Sequence, residues 1–120
     1  MTRRDLARLD DILEAITAIR EHRDRGPIRD DLISDAVRIR IVEIGEAVKS
    51  LSTDLTATEP DVPWQQIARM RDQIAHRYFA TAPTVIESTV DHDLDPLEAA
   101  VIRMKSRLWH GQGEPDSDPG

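Results

Sequence analysis

The chain has 120 residues, a formal net charge of −7 and no cysteine. Its length predicts a single domain, and the missing cysteine excludes a disulfide framework and thiolate catalysis. The acidic balance argues against an extended nucleic-acid groove, because such a groove needs many cationic contacts, but it allows a local basic site. No apolar run approaches the roughly 18 residues of a membrane span, and no signal-peptide segment opens the sequence. We therefore expect a cytoplasmic protein.

The composition favours packed helices. Apolar residues make up 39% of the chain with only four aromatics among them, so the core must be built from Leu, Ile, Val and Ala. Such a core suits helices better than a sandwich of aromatic and β-branched strands. Charged residues account for 32%, which is typical of amphipathic helices with solvated outer faces.

Apolar residues at helical spacing predict four helical regions, which span about residues 3–23, 29–51, 63–79 and 84–109. Gly26-Pro27 ends the first of them. Residues 52–62 are predicted to form a loop with one helical turn, and Asp61 with Pro63 marks the start of the third helix. We expect the fourth region to be interrupted near Asp95-Pro96.

Gly45 lies inside the second predicted helix, where glycine costs about 1 kcal/mol relative to alanine. We interpret it as a point of close approach, either by a neighbouring helix or by a second subunit. Together the elements predict an all-α protein, a compact bundle of four to five helices over residues 1–110. Residues 111–120 are rich in Gly, Pro and Asp and are predicted to be a disordered tail.

The most informative stretch of the chain contains Arg71, His76 and Tyr78 in an Arg-(four residues)-His-x-Tyr pattern. Arginine binds phosphate through its charge and its planar fork of donors. Histidine transfers protons near neutral pH, and Tyr78, the only tyrosine of the chain, adds a hydroxyl group. Arg69 and Arg77 add positive charge beside them. These groups suit chemistry on a phosphodiester.

Helical geometry separates these side chains. Arg71 and Tyr78 are seven residues apart and lie within roughly 20° of one face, whereas Arg71 and His76 diverge by roughly 140°. A straight helix cannot direct both Arg71 and His76 at one phosphate. Either the helix end is distorted near His76, or a second copy of the chain completes the site. We favour the second alternative, a two-fold dimer.

Two other groups of acidic residues are weaker candidates. Residues 91–95 carry three aspartates and a histidine, but an EF-hand loop beginning there would need glycine and glutamate where the chain has Pro96 and Ile102. Helix capping is the preferred interpretation of this run. Glu43 and Glu46 could form a carboxylate pair, although a solvated or dimer-facing role is favoured. No metal or cofactor site is predicted.

An isolated Arg-(four residues)-His pattern is most often a solvated helix face, so the surrounding residues decide its meaning. Residues 35–47, which include the run Ile-Gly-Glu-Ala, resemble the second-helix signature of HepT-like proteins of the HEPN superfamily. Residues 62–71, which include Pro63-Trp64, are similar to the start of that family's catalytic helix. The run up to Phe79 matches its Arg-(four to six residues)-His motif in the variant ending His-x-Tyr. The resemblance covers about residues 5–105.

The resemblance implies a metal-independent endoribonuclease toxin of a type VII-like toxin–antitoxin system. It implies that Arg71 and His76 form the catalytic site across a homodimer that acts on RNA. It also implies that a minimal nucleotidyltransferase antitoxin attaches AMP to Tyr78 and so silences the toxin. Four further residues are expected to support the site: Asp72, Arg69, Arg77 and Glu46.

One position departs from the commonest form of the family, which often has asparagine after the arginine where this chain has Asp72. A polar residue is retained, so we expect activity to survive, with the carboxylate orienting or partly neutralising Arg71 or His76. The alternative function is a non-catalytic helical module that uses the basic spot to hold a nucleotide or a partner.

Overall fold

The computed structural model describes residues 3–76 and 82–117, with side chains described up to residue 108. These ranges contain six helices and no strand, and the helices are α1 Arg3–Arg25, α2 Asp31–Ser50, α3 Thr53–Thr56, α4 Trp64–His76, α5 Pro83–His92 and α6 Leu94–Ser117. The prediction of an all-α bundle is confirmed. There are more helices than predicted because the turn in the loop forms the separate α3 and because the fourth region divides into α5 and α6.

Among the described helices, α1 and α2 pack against each other most extensively. Their apolar stripes meet there, so that Ile12, Ile16 and Val37 are fully buried. α2 begins at Asp31, two residues later than predicted, because Asp30 caps it. The Asp30 carboxylate accepts hydrogen bonds from the backbone N–H groups of Leu32 and the residue after it, at 2.9 and 3.2 Å, and so pairs two donors that the first turn leaves free.

The start of α4 is held by Trp64, as the Pro-Trp pair suggested. The indole Nε1 lies 3.1 Å from the carbonyl oxygen of Thr56 and 3.0 Å from that of Glu59, and donates its hydrogen between them. Pro63 precedes the first residue of the helix, and its carbonyl accepts the N–H of Ile67. The described part of α4 ends at His76, and the predicted helix end at residue 79 lies outside the described residues.

A buried acid ties the loop before α4 to α6. Glu59 is only 7% exposed, and its carboxylate accepts hydrogen bonds from Arg103 at 2.8 Å and from Arg107 at 2.7 Å. The hydrogen bonds from these two arginines lower the pKa of Glu59 to about 2. This acid stays charged in the folded protein at neutral pH and anchors the α3–α4 loop to α6.

The fourth helical region breaks at Asp93, slightly before the predicted position. Pro96 lies in the first turn of α6, where its missing N–H leaves no helical hydrogen bond unmade. α6 then continues to Ser117, whereas the sequence predicted a helix end near residue 109. The buried Met104 and Leu108 anchor the preceding turns, and extending an existing helix is easier than starting one. The helix therefore runs through residues 111–117 of the predicted disordered tail, and residues 118–120 lie outside the described residues.

The core is aliphatic, as the composition indicated. Its largest fully buried side chains come from all six helices and from the loop between α1 and α2, and they are Leu9, Ile12, Ile16, Ile19, Ile28, Leu55, Ile74, Ile86, Met104, Val37 and Val101. Within the described ranges, no helix is both long and apolar enough to cross a membrane.

Candidate active site

Arg71 lies where α4 comes closest to α2. The point of contact is Gly45, which is buried. A Cβ atom added to Gly45 would lie 2.1 Å from the Cβ of Arg71 and 3.4 Å from its Cα. Of the two roles that the sequence left open for Gly45, the structure shows close approach of a neighbouring helix. This approach places the Arg71 side chain against the surface of α2, where 24% of it is exposed.

Two carboxylates hold the Arg71 guanidinium. Glu46, the residue after Gly45, forms an ion pair with Nη2, and Asp72 accepts a hydrogen bond from Nη1 at 3.1 Å. The buried Nε has no hydrogen-bond partner among the described residues. With both terminal nitrogens engaged, the guanidinium is held in one orientation at the edge of the bundle.

Asp72 joins Arg71 to a second cation. Its Oδ1 atom accepts a hydrogen bond from Lys49 Nζ at 3.2 Å as well as the bond from Arg71. The hydrogen bond from Lys49, followed by that from Arg71, lowers the pKa of the Asp72 carboxyl group. Asp72 is therefore an anion that bridges two cations, one on α2 and one on α4.

Lys49 is a residue of this network that was not predicted from the sequence. A lysine in the last turn of an amphipathic helix is ordinary, because cations are favoured at helix C-termini. Its one distinguishing signal was its position three residues after Glu46, which puts both side chains on neighbouring parts of one helix face. Only the packing of α2 against α4 brings Lys49 to Asp72.

His76 is the last described residue of α4 and is exposed. The helix stays α-helical up to this residue, so no distortion before it turns His76 towards Arg71. His76 makes no hydrogen bond or ion pair with another described residue. Arg69, seven residues earlier, lies within about 20° of it around the axis and is also exposed. The outer face of α4 thus carries Arg69 and His76, while Arg71 faces α2.

The structure accordingly groups some of the predicted site residues and separates others. Arg71, Asp72 and Glu46 form one ion-pair network, and Arg69 and His76 share another face of α4. Arg77 and Tyr78 lie outside the described residues.

The acidic run near residue 93 has a structural role. Asp91 pairs with Arg23 of α1 at 2.9 Å, and Asp95 pairs with Arg20 of α1. Asp93 is the C-terminal capping residue of α5, and its backbone N–H bonds to the carbonyl of Thr89. Capping therefore accounts for one aspartate, and the other two connect the α5–α6 junction to α1. In the described part of the chain, no three His, Asp or Glu side chains cluster as ligands of a metal would.

Known proteins are similar to this chain over most of its length. Residues 9–104 match the family model described as "Ribonuclease HepT-like". A relative named "Probable ribonuclease HepT", from Thermococcus cleftensis, is 32% identical over 101 residues, which cover 81% of this chain and 92% of the relative.

Two further relatives carry the name "Putative RNase". The one from Caldanaerobacter subterraneus subsp. tengcongensis is 36% identical over 84 residues, covering 66% of this chain and 75% of the relative. The one from Methanocaldococcus jannaschii is 28% identical over 103 residues, covering 82% and 85%. No solved structure matches significantly. The family match spans well over half of the chain and includes Arg71, His76 and the residues around them, so this protein belongs to the HepT-like ribonuclease family.

Proposed function

We propose that this protein is an endoribonuclease toxin whose catalytic residues are Arg71 and His76. One observation carries the proposal: Arg71, in the motif that resembles the family's catalytic motif, is held against Gly45 and oriented by Glu46 and Asp72. An arginine used only for solubility would not need a glycine opposite it. Preorganised cations of this kind stabilise charge that develops on a phosphoryl group.

The reaction that fits these groups is internal transesterification of RNA. The 2′-oxygen attacks phosphorus, the bond from phosphorus to the 5′-oxygen breaks, and a 2′,3′-cyclic phosphate and a 5′-hydroxyl group result. His76 takes the proton from the 2′-hydroxyl or supplies one to the leaving oxygen, and Arg71 stabilises the charge on the phosphoryl oxygens. Because RNA supplies the nucleophile itself, the proposed reaction needs no metal ion.

We place this site across a homodimer. Arg71 and His76 diverge by roughly 140° around a regular helix, so Arg71 of one protomer would act with the partner subunit's His76. The outer face of α2 supports this arrangement. Leu32 and Ile39 are 80% and 56% exposed, and Glu46, the partner of Arg71, follows at the same seven-residue spacing. A second copy seated on this apolar face would lie beside Arg71.

Silencing by a nucleotidyltransferase antitoxin in the cytoplasm completes the proposal. Tyr78 is two residues from His76 in the sequence, and the family resemblance makes it the residue that receives AMP. An AMP group adds phosphate charge and bulk, which would compete with the RNA phosphate for Arg71. Intact-mass measurement of the chain co-expressed with a minimal nucleotidyltransferase tests this step. An added AMP mass that Tyr78→Phe abolishes is expected, and a silenced chain of unmodified mass would refute it.

Cleavage of total RNA in the presence of EDTA tests the activity. We expect the wild type to cleave, and Arg71→Ala and His76→Ala to lose activity by roughly 100-fold or more. His92→Ala is the matched control, because His92 is an exposed histidine on α5 whose Nδ1 atom lies 3.0 Å from the carbonyl oxygen of Ser88. Equal cleavage by His76→Ala would refute the catalytic role. RNA binding without cleavage by the wild type would support the alternative, a non-catalytic binding module.

Mixing the two inactive variants tests the composite site. If each site takes Arg71 from one protomer and the partner subunit's His76, a heterodimer of Arg71→Ala with His76→Ala keeps one intact site. Random exchange of subunits should then restore about a quarter of wild-type activity. If both residues act within one chain, the mixture stays as inactive as its components.

A further inference from the structure

Arg71 by itself is a poor receptor for a phosphate in this structure. Its two terminal nitrogens face Glu46 and Asp72, so two negative charges offset its single positive charge. A site of net positive charge binds an RNA phosphate favourably, because the cations of the site release counterions that are condensed on the RNA. Lys49 restores part of that charge, since its Nζ lies 3.2 Å from the carboxylate oxygen that also faces Arg71.

The two cations point at the same oxygen atom. Lys49 Nζ and Arg71 Nη1 lie 3.2 and 3.1 Å from Asp72 Oδ1, and one anionic oxygen between them satisfies both donors. A non-bridging oxygen of a phosphodiester has the charge and the acceptor capacity to take that place. The Asp72 carboxylate therefore occupies the position that suits a substrate oxygen.

The ion pair between Lys49 and Asp72 is weak enough to be exchanged. Both side chains are 45% exposed, and exposed pairs contribute little to stability because water and salt screen them. Lysine also has a long flexible stem with rotatable donors. Arg71, by contrast, is mostly buried and held by the contact with Gly45.

We propose that Lys49 is an RNA-binding residue, which together with Arg71 forms a phosphate subsite that the Asp72 carboxylate fills when no RNA is present. The inference rests on the proposed ribonuclease function for the identity of the ligand. In this arrangement RNA displaces Asp72 and takes over both cations. Aspartate at this position weakens RNA binding by competing with the phosphate, whereas a neutral asparagine would not.

Binding of a fluorescein-labelled single-stranded RNA of about 20 nucleotides tests the subsite, with His76→Ala present in every protein so that the RNA stays intact. Lys49→Gln is expected to raise Kd roughly three- to tenfold and to reduce the salt dependence of log Kd by about 0.7. Lys49→Arg should restore both values. Lys105→Gln is the matched control, because Lys105 is a surface lysine paired with Asp10 away from the site. An equal effect of Lys105→Gln, or none of Lys49→Gln, would overturn the proposal.

The double variant tests the competition. Asp72→Asn should lower Kd when Lys49 is present, and should change it much less when Lys49→Gln is present, because coupled residues give non-additive effects. Additive effects would mean that Asp72 acts independently of Lys49, and the subsite would be wrong. These binding experiments are separate from cleavage. RNA that binds through Lys49 but is never cut would refute the ribonuclease proposal alone. RNA that is cut while Lys49 contributes nothing to its binding would refute the subsite alone.

Discussion

Replacing Gly45 by alanine should destabilise the protein, although alanine is the better helix former. Within a helix, the change from glycine to alanine gains about 1 kcal/mol. Gly45 is in the interior of α2, so this gain applies in full. Opposing it, the new Cβ would lie 2.1 Å from the Cβ of Arg71 and 2.8 Å from its Cγ. The net effect depends on how this clash is relieved.

Relief requires the two helices to move. Packed carbon atoms prefer separations of about 3.5–4.0 Å, so α2 and α4 must separate by roughly 1.5 Å at this point. A rotamer change of Arg71 cannot help, because the backbone alone sets the position of its Cβ. Overpacking of this kind costs about 1–3 kcal/mol. Because only a movement of the helices relieves this clash, we take the upper part of that range, about 2–3 kcal/mol. After subtracting the propensity gain, we expect a net loss of about 1–2 kcal/mol in the free energy of unfolding.

Urea denaturation followed by circular dichroism measures this loss, and Gly26→Ala is its matched control. A Cβ at Gly26 would meet only the Ile33 side chain, 3.2 Å from Cγ1 and 3.7 Å from Cδ1, and that side chain can shift. We expect the control to stay within about 0.5 kcal/mol of the wild type. A Gly45→Ala protein as stable as the wild type, or more stable, would refute the reasoning.

RNA cleavage provides the second measurement on Gly45→Ala. The displacement of α4 moves Arg71 away from Glu46, and misplacing a catalytic group by about 1 Å can reduce the rate by roughly 100-fold. We expect cleavage to fall at least tenfold at temperatures where the variant is still folded. Full activity in a destabilised variant would show that the position of Arg71 against α2 does not matter for catalysis.

Three further predictions concern stability. Glu59→Gln should lower the free energy of unfolding by about 1–2 kcal/mol at pH 7, a value discounted for the exposure of the two arginines. Because folding lowers the pKa of Glu59 from 4.5 to about 2, the stability difference from the wild type should be complete above pH 4.5 and should vanish towards pH 2. A stability difference that does not depend on pH in urea titrations would contradict this assignment. Asp5→Ala should lower the free energy of unfolding by about 1–3 kcal/mol, because this buried carboxylate accepts hydrogen bonds from the N–H and hydroxyl groups of Ser52 at 3.1 and 3.0 Å. Asp54 is exposed, so its replacement by alanine is the control and should change the stability little. Trp64→Phe should lower the free energy of unfolding by about 1–2 kcal/mol, because the indole donor is lost. Urea denaturation measures this change, and an unchanged denaturation midpoint would show that the indole N–H does not hold α4.

Much of this fold could be predicted from sequence because helix formation leaves a local periodic signal. The apolar stripes located the long helices to within a few residues at most ends, and Pro63-Trp64 marked the start of α4. The ends that differed depend on single contacts or on extension of an existing helix. Asp30 caps α2 one residue before it starts, and α6 continues beyond the predicted end once Met104 and Leu108 are buried.

The helices, the aliphatic core and the divergence of Arg71 from His76 all follow from the amino-acid sequence, because residue type and the 3.6-residue turn of a helix set them. The sequence also marked Gly45 as a place of close approach. What approaches Gly45, and which charges meet there, depends on the packing of the helices. Glu46, Lys49 and Asp72 come together around Arg71 because α2 and α4 cross at the glycine. Contacts between residues more than 20 positions apart leave no periodic trace in the chain, so packing alone selects them.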